Sequence, residues 1–206
     1  MKIAPLSQLE NDILNSKQFQ LSLNLGRIRK GHTEGKLITH IKLILNYIEK
    51  NFKNDNDYTK LRLIGLLHDI GKLGELINNV EKYMPQNQEQ KTRQKYLQAS
   101  VKFIKEFGKQ PDDGYSPAHA LYSYEFAKQF LNDKDTLDII KFHDTAHRLR
   151  EFKKNSPDKQ INEQINKVFS SLNNTLMLKF MEADNSERDK GIVIWLKEKL
   201  WENNIQ

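Results

Sequence analysis

The sequence predicts an all-α protein, a single helical bundle of roughly eight to ten helices. Three observations carry that reading. Glycine and proline are scarce, 9 and 5 among 206 residues, which disfavours a loop-rich or all-β chain. Apolar residues recur every three to four positions, the helical period, along most of the chain. No stretch shows the strict apolar–polar alternation of a half-buried strand. A hydrophobic content of 37% suffices for one core, so residues 1–206 are read as one domain.

Taken in order, Leu6, Leu9, Ile13 and Leu14 mark a first helix over residues 6–18. Phe19 to Gly35 is less regular and closes on Gly31-His32-Thr33-Glu34-Gly35, a turn whose two glycines permit close approach to a ligand. Leu37, Ile41, Ile44, Leu45 and Ile48 make an amphipathic helix over 36–52, and His40 shares its apolar side. Asn51 to Asp57 is a polar turn with Asp57 as N-cap. The helix over 58–69 is apolar on most sides and should be central.

A second short helix follows over 71–84, then a Gln- and Asn-rich polar link over 85–94. A helix over 95–107, a loop over 108–117 and a helix from Pro117 to Leu131 come next, with proline in the first-turn position it favours. Asp133 or Asp135 starts a helix that carries Ile139, Ile140, Phe142, His143 and His147 on one continuous run. Beyond a basic link at 153–159, helices are expected over 158–181 and 187–201, with Phe180, Trp195 and Trp201 as core residues. No internal repeat stands out.

Composition narrows the chemistry. The absence of cysteine removes disulfides, thiolate nucleophiles and thiolate metal sites together, so any metal must sit among nitrogen and oxygen ligands. No apolar run approaches the ~18 residues of a membrane span, and the first residues carry no signal-peptide segment. A cytoplasmic protein with no membrane contact is expected. The net charge of +6 and a pI near 9.3 suit an anionic partner such as a nucleotide or RNA; a lysine-rich solvated surface explains the same charge equally well. Nothing in the pattern sets the oligomeric state.

The most informative stretch is Leu63-Ile64-Gly65-Leu66-Leu67-His68-Asp69-Ile70-Gly71-Lys72. An adjacent imidazole and carboxylate at the end of an apolar helix are costly to bury without a partner. A divalent cation accepts both and neutralises the carboxylate. Adjacent helical residues point about 100° apart, so the pair can share an ion only where the helix ends, and Gly71 is read as that ending. His40 lies 28 residues before His68, the separation of two antiparallel helices joined by a short turn. His119 and His143 repeat the arrangement across Asn132-Asp133. Asp184 adds a carboxylate near the end of a later helix. Asp144 copies the His-Asp form beside His143, but an N-cap or exposed acid is the simpler reading. His147, four residues past His143, falls on the same helix face and is a candidate neighbour of the site.

On these residues the chain resembles the HD-domain superfamily of metal-dependent phosphohydrolases. The resemblance is carried by Thr39-His40-Ile41-Lys42-Leu43-Ile44, by Leu66-Leu67-His68-Asp69-Ile70-Gly71-Lys72 and by Ala183-Asp184-Asn185-Ser186. It spans about residues 25–190 and is nearest to the HD region attached to bacterial tRNA nucleotidyltransferases, without a nucleotidyltransferase segment. It implies one or two divalent ions (Mn, Fe, Ni, Co, Mg or Zn), the first on His40, His68, Asp69 and Asp184. The second would take His119 and His143, with Asp69 bridging. The implied activity is hydrolysis of a phosphomonoester or phosphodiester of a nucleotide, cyclic phosphate or RNA end by a metal-activated hydroxide.

Asp69 and Lys72 would be the catalytic residues, Lys72 by neutralising a phosphoryl oxygen. His32, Glu34, Arg148 and Arg188 are candidate substrate contacts. The Gly-Tyr-Pro signature of the cyclic-dinucleotide branch and the Glu-Asp motif of alarmone hydrolases are not found. One alternative shares the ligand order, a di-iron oxygenase of the myo-inositol oxygenase kind; a second is a non-catalytic nucleotide-binding module, against which the intact ligand set argues.

Overall fold

In the computed structural model, residues 3–28, 33–85, 87–187 and 190–205 are described. They contain helices and turns but no strand, as the periodicity predicts. The helices are α1 (Gln8–Asn15), α2 (Lys17–Ser22), α3 (Leu37–Phe52), α4 (Tyr58–Leu67), α5 (Lys72–Glu75), α6 (Val80–Tyr83) and α7 (Gln90–Phe107). They continue with α8 (Ala118–Ala127), α9 (Lys134–Phe142), α10 (Thr145–Lys153), α11 (Asp158–Phe169), α12 (Asn174–Asp184) and α13 (Gly191–Glu202).

Eleven of these exceed a single turn, more than the eight to ten expected, because polar residues divide runs that look continuous. Ser16 ends α1 and starts α2, its Oγ donating to the Ile13 carbonyl at 2.8 Å and accepting from Phe19 N–H at 3.4 Å. The run expected over 158–181 breaks at Asn173, which caps α12 by accepting from Leu176 N–H at 3.0 Å. The helix expected to carry both His143 and His147 ends at Phe142, and α10 begins only at Thr145. The stretch 71–84 is not one helix but α5, a 3-10 turn over Leu76–Asn78, and α6, while α7 starts five residues before the predicted Lys95.

Helix α4 is the centre of the bundle. Every residue from Leu61 to Leu67 is buried, including Arg62. That guanidinium survives burial because Glu10 on α1 grips it with two parallel bonds, Nε–Oε1 at 2.8 Å and a terminal nitrogen to Oε2 at 2.9 Å. Helices α3, α9 and α12 pack around α4, and α8 packs on α5 and α9. Helix α12 is set in place by Lys179, which reaches Asp55 at 2.7 Å and Asp57 at 2.9 Å in the α3–α4 turn. Asp57 does occupy the N-cap position of α4, but its side chain caps nothing and serves this ion pair instead. Phe180 and Trp195 are buried as expected; Trp201 is not, with 83% of its surface exposed on α13. No described helix is long and apolar enough to cross a membrane.

Gly71 acts differently from the expected left-handed helix ending. Its φ is −63°, open to any residue, and His68 already ends α4. What requires glycine is the close approach of α8. A Cβ here would lie 1.9 Å from the His119 carbonyl oxygen and 2.5 Å from Ser123 N, both backbone atoms. Gly71 N–H also donates to Ser123 Oγ at 2.8 Å, tying the two segments together. Gly71→Ala should therefore push α8 outward and lower the unfolding free energy by about 1–3 kcal/mol, the usual cost of overpacking. Urea denaturation measures this, and an unchanged midpoint would show that the contact yields without cost.

Candidate metal centre

Two helical hairpins bring the histidines together. His40 lies in the first turn of α3 and His68 just past the end of α4, so the short turn between the helices returns one to the other. His119 on α8 and His143 just past α9 repeat the geometry. All four are buried, as are Asp69 and Asp184. The six residues expected to converge do so.

They form two joined clusters. In the first, His40 Nε2 lies 3.3 Å from His68 Nε2, 3.0 Å from Asp184 Oδ1 and 3.8 Å from Asp69 Oδ2. His68 Nε2 is 3.4 Å from Asp69 Oδ2 and 3.8 Å from Asp184 Oδ1. In the second, Asp69 presents its other oxygen: Oδ1 lies 3.5 Å from His119 Nε2 and 3.7 Å from His143 Nε2. Asp144 closes this cluster, with Oδ2 3.2 Å from His119 Nε2 and Oδ1 3.9 Å from His143 Nε2.

Each ring turns Nε2 inward and faces an acceptor with Nδ1. His68 Nδ1 is 3.2 Å from the Gly65 carbonyl and His143 Nδ1 is 2.8 Å from the Ile140 carbonyl. His40 Nδ1 is 3.6 Å from Glu34 Oε1, an attraction too long for a hydrogen bond. His119 Nδ1 is 3.2 Å from Glu75 Oε2, near in distance but not aligned as a hydrogen bond. Glu75 in turn accepts from Tyr83 OH at 2.5 Å. For His68 and His143 the carbonyl acceptor on Nδ1 fixes the tautomer that leaves Nε2 free to ligate. Within the clusters, two triads, His40–His68–Asp69 and Asp69–His119–His143, have ligand atoms close enough together to hold a metal ion. Lys72, at the start of α5, pairs with Asp69 Oδ2.

The carboxylates are held ionised. Burial works to raise the Asp69 pKa, yet Lys72 and His68 overcome it and leave the group well below its usual range. Asp144 is likewise held low, burial being outweighed by His143 and His119. Glu75 falls to about 2 because His119 and Tyr83 outweigh its desolvation. The histidines divide by cluster. Burial lowers the His68 pKa. For His119 and His143 burial also opposes the charge, but the surrounding carboxylates prevail, raising His143 to about 9.

Of the other expected residues, Glu34 stands behind His40, its side chain 9% exposed and its carboxylate 3.6 Å from the ring nitrogen. Arg148, on α10, pairs with Asp112 at 2.7 Å. His147 is separated from His143 by the helix break and does not share its face, although it contributes to holding Asp144 ionised. His32 and Arg188 lie outside the described residues. Asp144 occupies the N-cap position of α10, as the sequence suggests, and is 34% exposed, but it makes no cap bond and its carboxylate faces the imidazoles. Its resemblance to Asp69 in a second His-Asp pair was the available signal. Glu75 carried no comparable one.

Comparison with protein-family models, with curated proteins and with solved structures returns no match. What fold and site define together is a class: an all-helical protein with buried His/Asp groups able to hold a metal ion.

The split in histidine pKa gives a pH signature. A metal ion must displace protons from His119 and His143, so affinity of the second cluster should climb steeply from pH 6.5 to about 9. The first cluster, with His68 already neutral, should vary less. Stability of the metal-free protein should run the other way. The raised His143 pKa contributes stability fully present below pH 6.5 and lost as pH rises through about 9. Calorimetric metal titration and thermal melts at several pH values measure both trends; a flat second-cluster affinity would contradict this charge assignment.

Proposed function

We propose that this chain is an HD-type metal-dependent phosphohydrolase acting on a phosphomonoester or phosphodiester of a nucleotide, cyclic phosphate or RNA end. The observation that carries the reading is the division of Asp69 between clusters, Oδ2 toward His40 and His68, Oδ1 toward His119 and His143. One carboxylate facing two imidazole pairs is the arrangement of a bridging ligand. The donor set of nitrogen and oxygen, with outer acceptors on the rings, fits divalent ions. His40, His68, Asp69 and Asp184 would hold one, and His119, His143 and Asp69 the other. Such ions supply Lewis acidity, which activates water and clamps phosphoryl oxygens.

The chain's own residues complete the site. Lys72 is 14% exposed and lines a narrow recess with His40, Glu34 and Tyr83. Its ammonium is placed to exchange its contact with Asp69 for a phosphoryl oxygen as charge builds there. The recess shares Gly26, Glu34 and Gly35 with an open cleft of about 690 Å³ that carries Arg27, Lys36, Thr39 and Asn87. That size lies within the ~300–1,000 Å³ of small-molecule sites, and two cations at the mouth suit an anionic substrate. Burial of the imidazoles limits bulk water at the reacting centre.

The test is a panel of nucleotides, cyclic phosphates and p-nitrophenyl phosphates, assayed with bound metal measured alongside. Phosphate release dependent on divalent ions is the expected result. His68→Ala should remove both bound metal and turnover while leaving helicity intact. Lys72→Met should retain the metal and lower kcat by roughly 10²-fold, the scale of losing one oxyanion donor. Bound iron with oxygen uptake and no phosphate release would replace the hydrolase reading with an oxygenase. Binding of nucleotide without turnover would leave only a binding module.

A further inference from the structure

Asp144 has no part in the ligand set just described, and its side chain is 34% exposed where that of Asp69 is 5%, yet its backbone setting and its neighbours repeat those of Asp69. Each follows a histidine that ends a helix in right-handed helical backbone: His68 at φ −55°, ψ −32° and His143 at φ −55°, ψ −34°. Each histidine faces with Nδ1 the carbonyl three residues earlier, Gly65 in one case and Ile140 in the other. Each pair is met by a histidine from the partner helix of its hairpin, His40 or His119, with a carboxylate behind that ring, Glu34 or Glu75. The repeat absent from the sequence pattern is present in the site.

We propose that Asp144 is a direct ligand of the second ion, so that the centre consists of two matched half-sites. Each contributes two imidazoles and a carboxylate of its own, Asp184 in the first and Asp144 in the second, and both share Asp69. The inference rests on the two-metal reading above.

Distance, charge and position all bear on it. Ligand atoms bound at ~2.0–2.2 Å to one ion lie about 3.0–3.5 Å from each other. In the first cluster the imidazole nitrogens lie 3.0 to 3.8 Å from the carboxylate oxygens and 3.3 Å from each other. In the second, the imidazole nitrogens lie 3.2 to 3.9 Å from the oxygens of Asp69 and Asp144. Small inward adjustments would close either set on an ion. Without Asp144 the second ion would have two neutral imidazoles and a shared carboxylate; Asp144 gives it a negative charge of its own, as Asp184 gives the first. Finally, α4 and α9 both end at these clusters, directing the partial negative charge of their terminal carbonyls toward cations. The role of a helix cap is not filled, since Asp144 makes no cap bond.

The experiment reads metal directly. Metal-stripped full-length protein is titrated with Mn²⁺, the stoichiometry measured by calorimetry and elemental analysis, and spin coupling between ions followed by electron paramagnetic resonance. Wild type should take two equivalents and show a coupled Mn²⁺ pair. Asp144→Asn should keep one equivalent, lose the coupled signal and bind the second ion about 100-fold more weakly, the upper end of what even an outer partner's loss costs. Asp144→Ser, which removes the carboxylate without an amide, is held to the same outcome, with melting curves of both variants establishing that they fold. Asp144→Glu should recover the second equivalent in part. Two tight equivalents with an unchanged coupled spectrum in Asp144→Asn or Asp144→Ser would overturn the inference and leave the hydrolase reading standing. One equivalent in wild type would overturn the inference together with the two-metal reading it rests on; none would overturn the metal-dependent hydrolase reading as well.

Discussion

The structure depends on one buried carboxylate that faces four imidazoles. Asp69 turns one oxygen to His40 and His68 and the other to His119 and His143. A carboxylate so enclosed is costly unless its charge is answered. Here Lys72 and the imidazoles answer it, and a divalent cation would do so more completely. The two hairpins α3–α4 and α8–α9 must converge on that group, which constrains how closely α8 may approach the turn after α4. Gly71 is the residue that permits the approach.

The rest of the bundle holds this geometry from around the cluster. The buried Glu10–Arg62 fork fastens α1 to the central helix. Lys179 fixes α12 against the α3–α4 turn, and Phe180 sets its ring edge against His68, with centroids 5.2 Å apart. Asp184, the last residue of α12, thereby arrives beside His40. The Gly65 and Ile140 carbonyls orient the rings of His68 and His143, and Glu34 and Glu75 place negative charge behind those of His40 and His119.

Two features of the site differ in what revealed them. The pairing of His40 with His68 is readable because local helix periodicity and hairpin length fix it. The arrival of Asp184 follows only from a resemblance in motif order, since no local spacing relates it to His40. Asp144 shows the reverse error. Beside a histidine on an expected continuous helix it reads as a surface acid, but after the helix break at His143 its carboxylate, 34% exposed, faces the imidazoles. Trp201 differs in the opposite direction: an apolar residue at helical spacing reads as core, while α13 leaves that side uncovered.

By itself the sequence determined the helical class, the nitrogen-and-oxygen character of any metal site, and the histidines and acids able to form one. These follow from composition and from periodicities set by the geometry of the α-helix. Tertiary structure alone decided where the long runs break, which oxygen of Asp69 faces which ring pair, and that Asp144 joins the second cluster. Those outcomes depend on contacts between residues far apart in the chain, and a few ångströms of helix approach, invisible to local pattern, separate an acid that faces the imidazoles from one that faces only solvent.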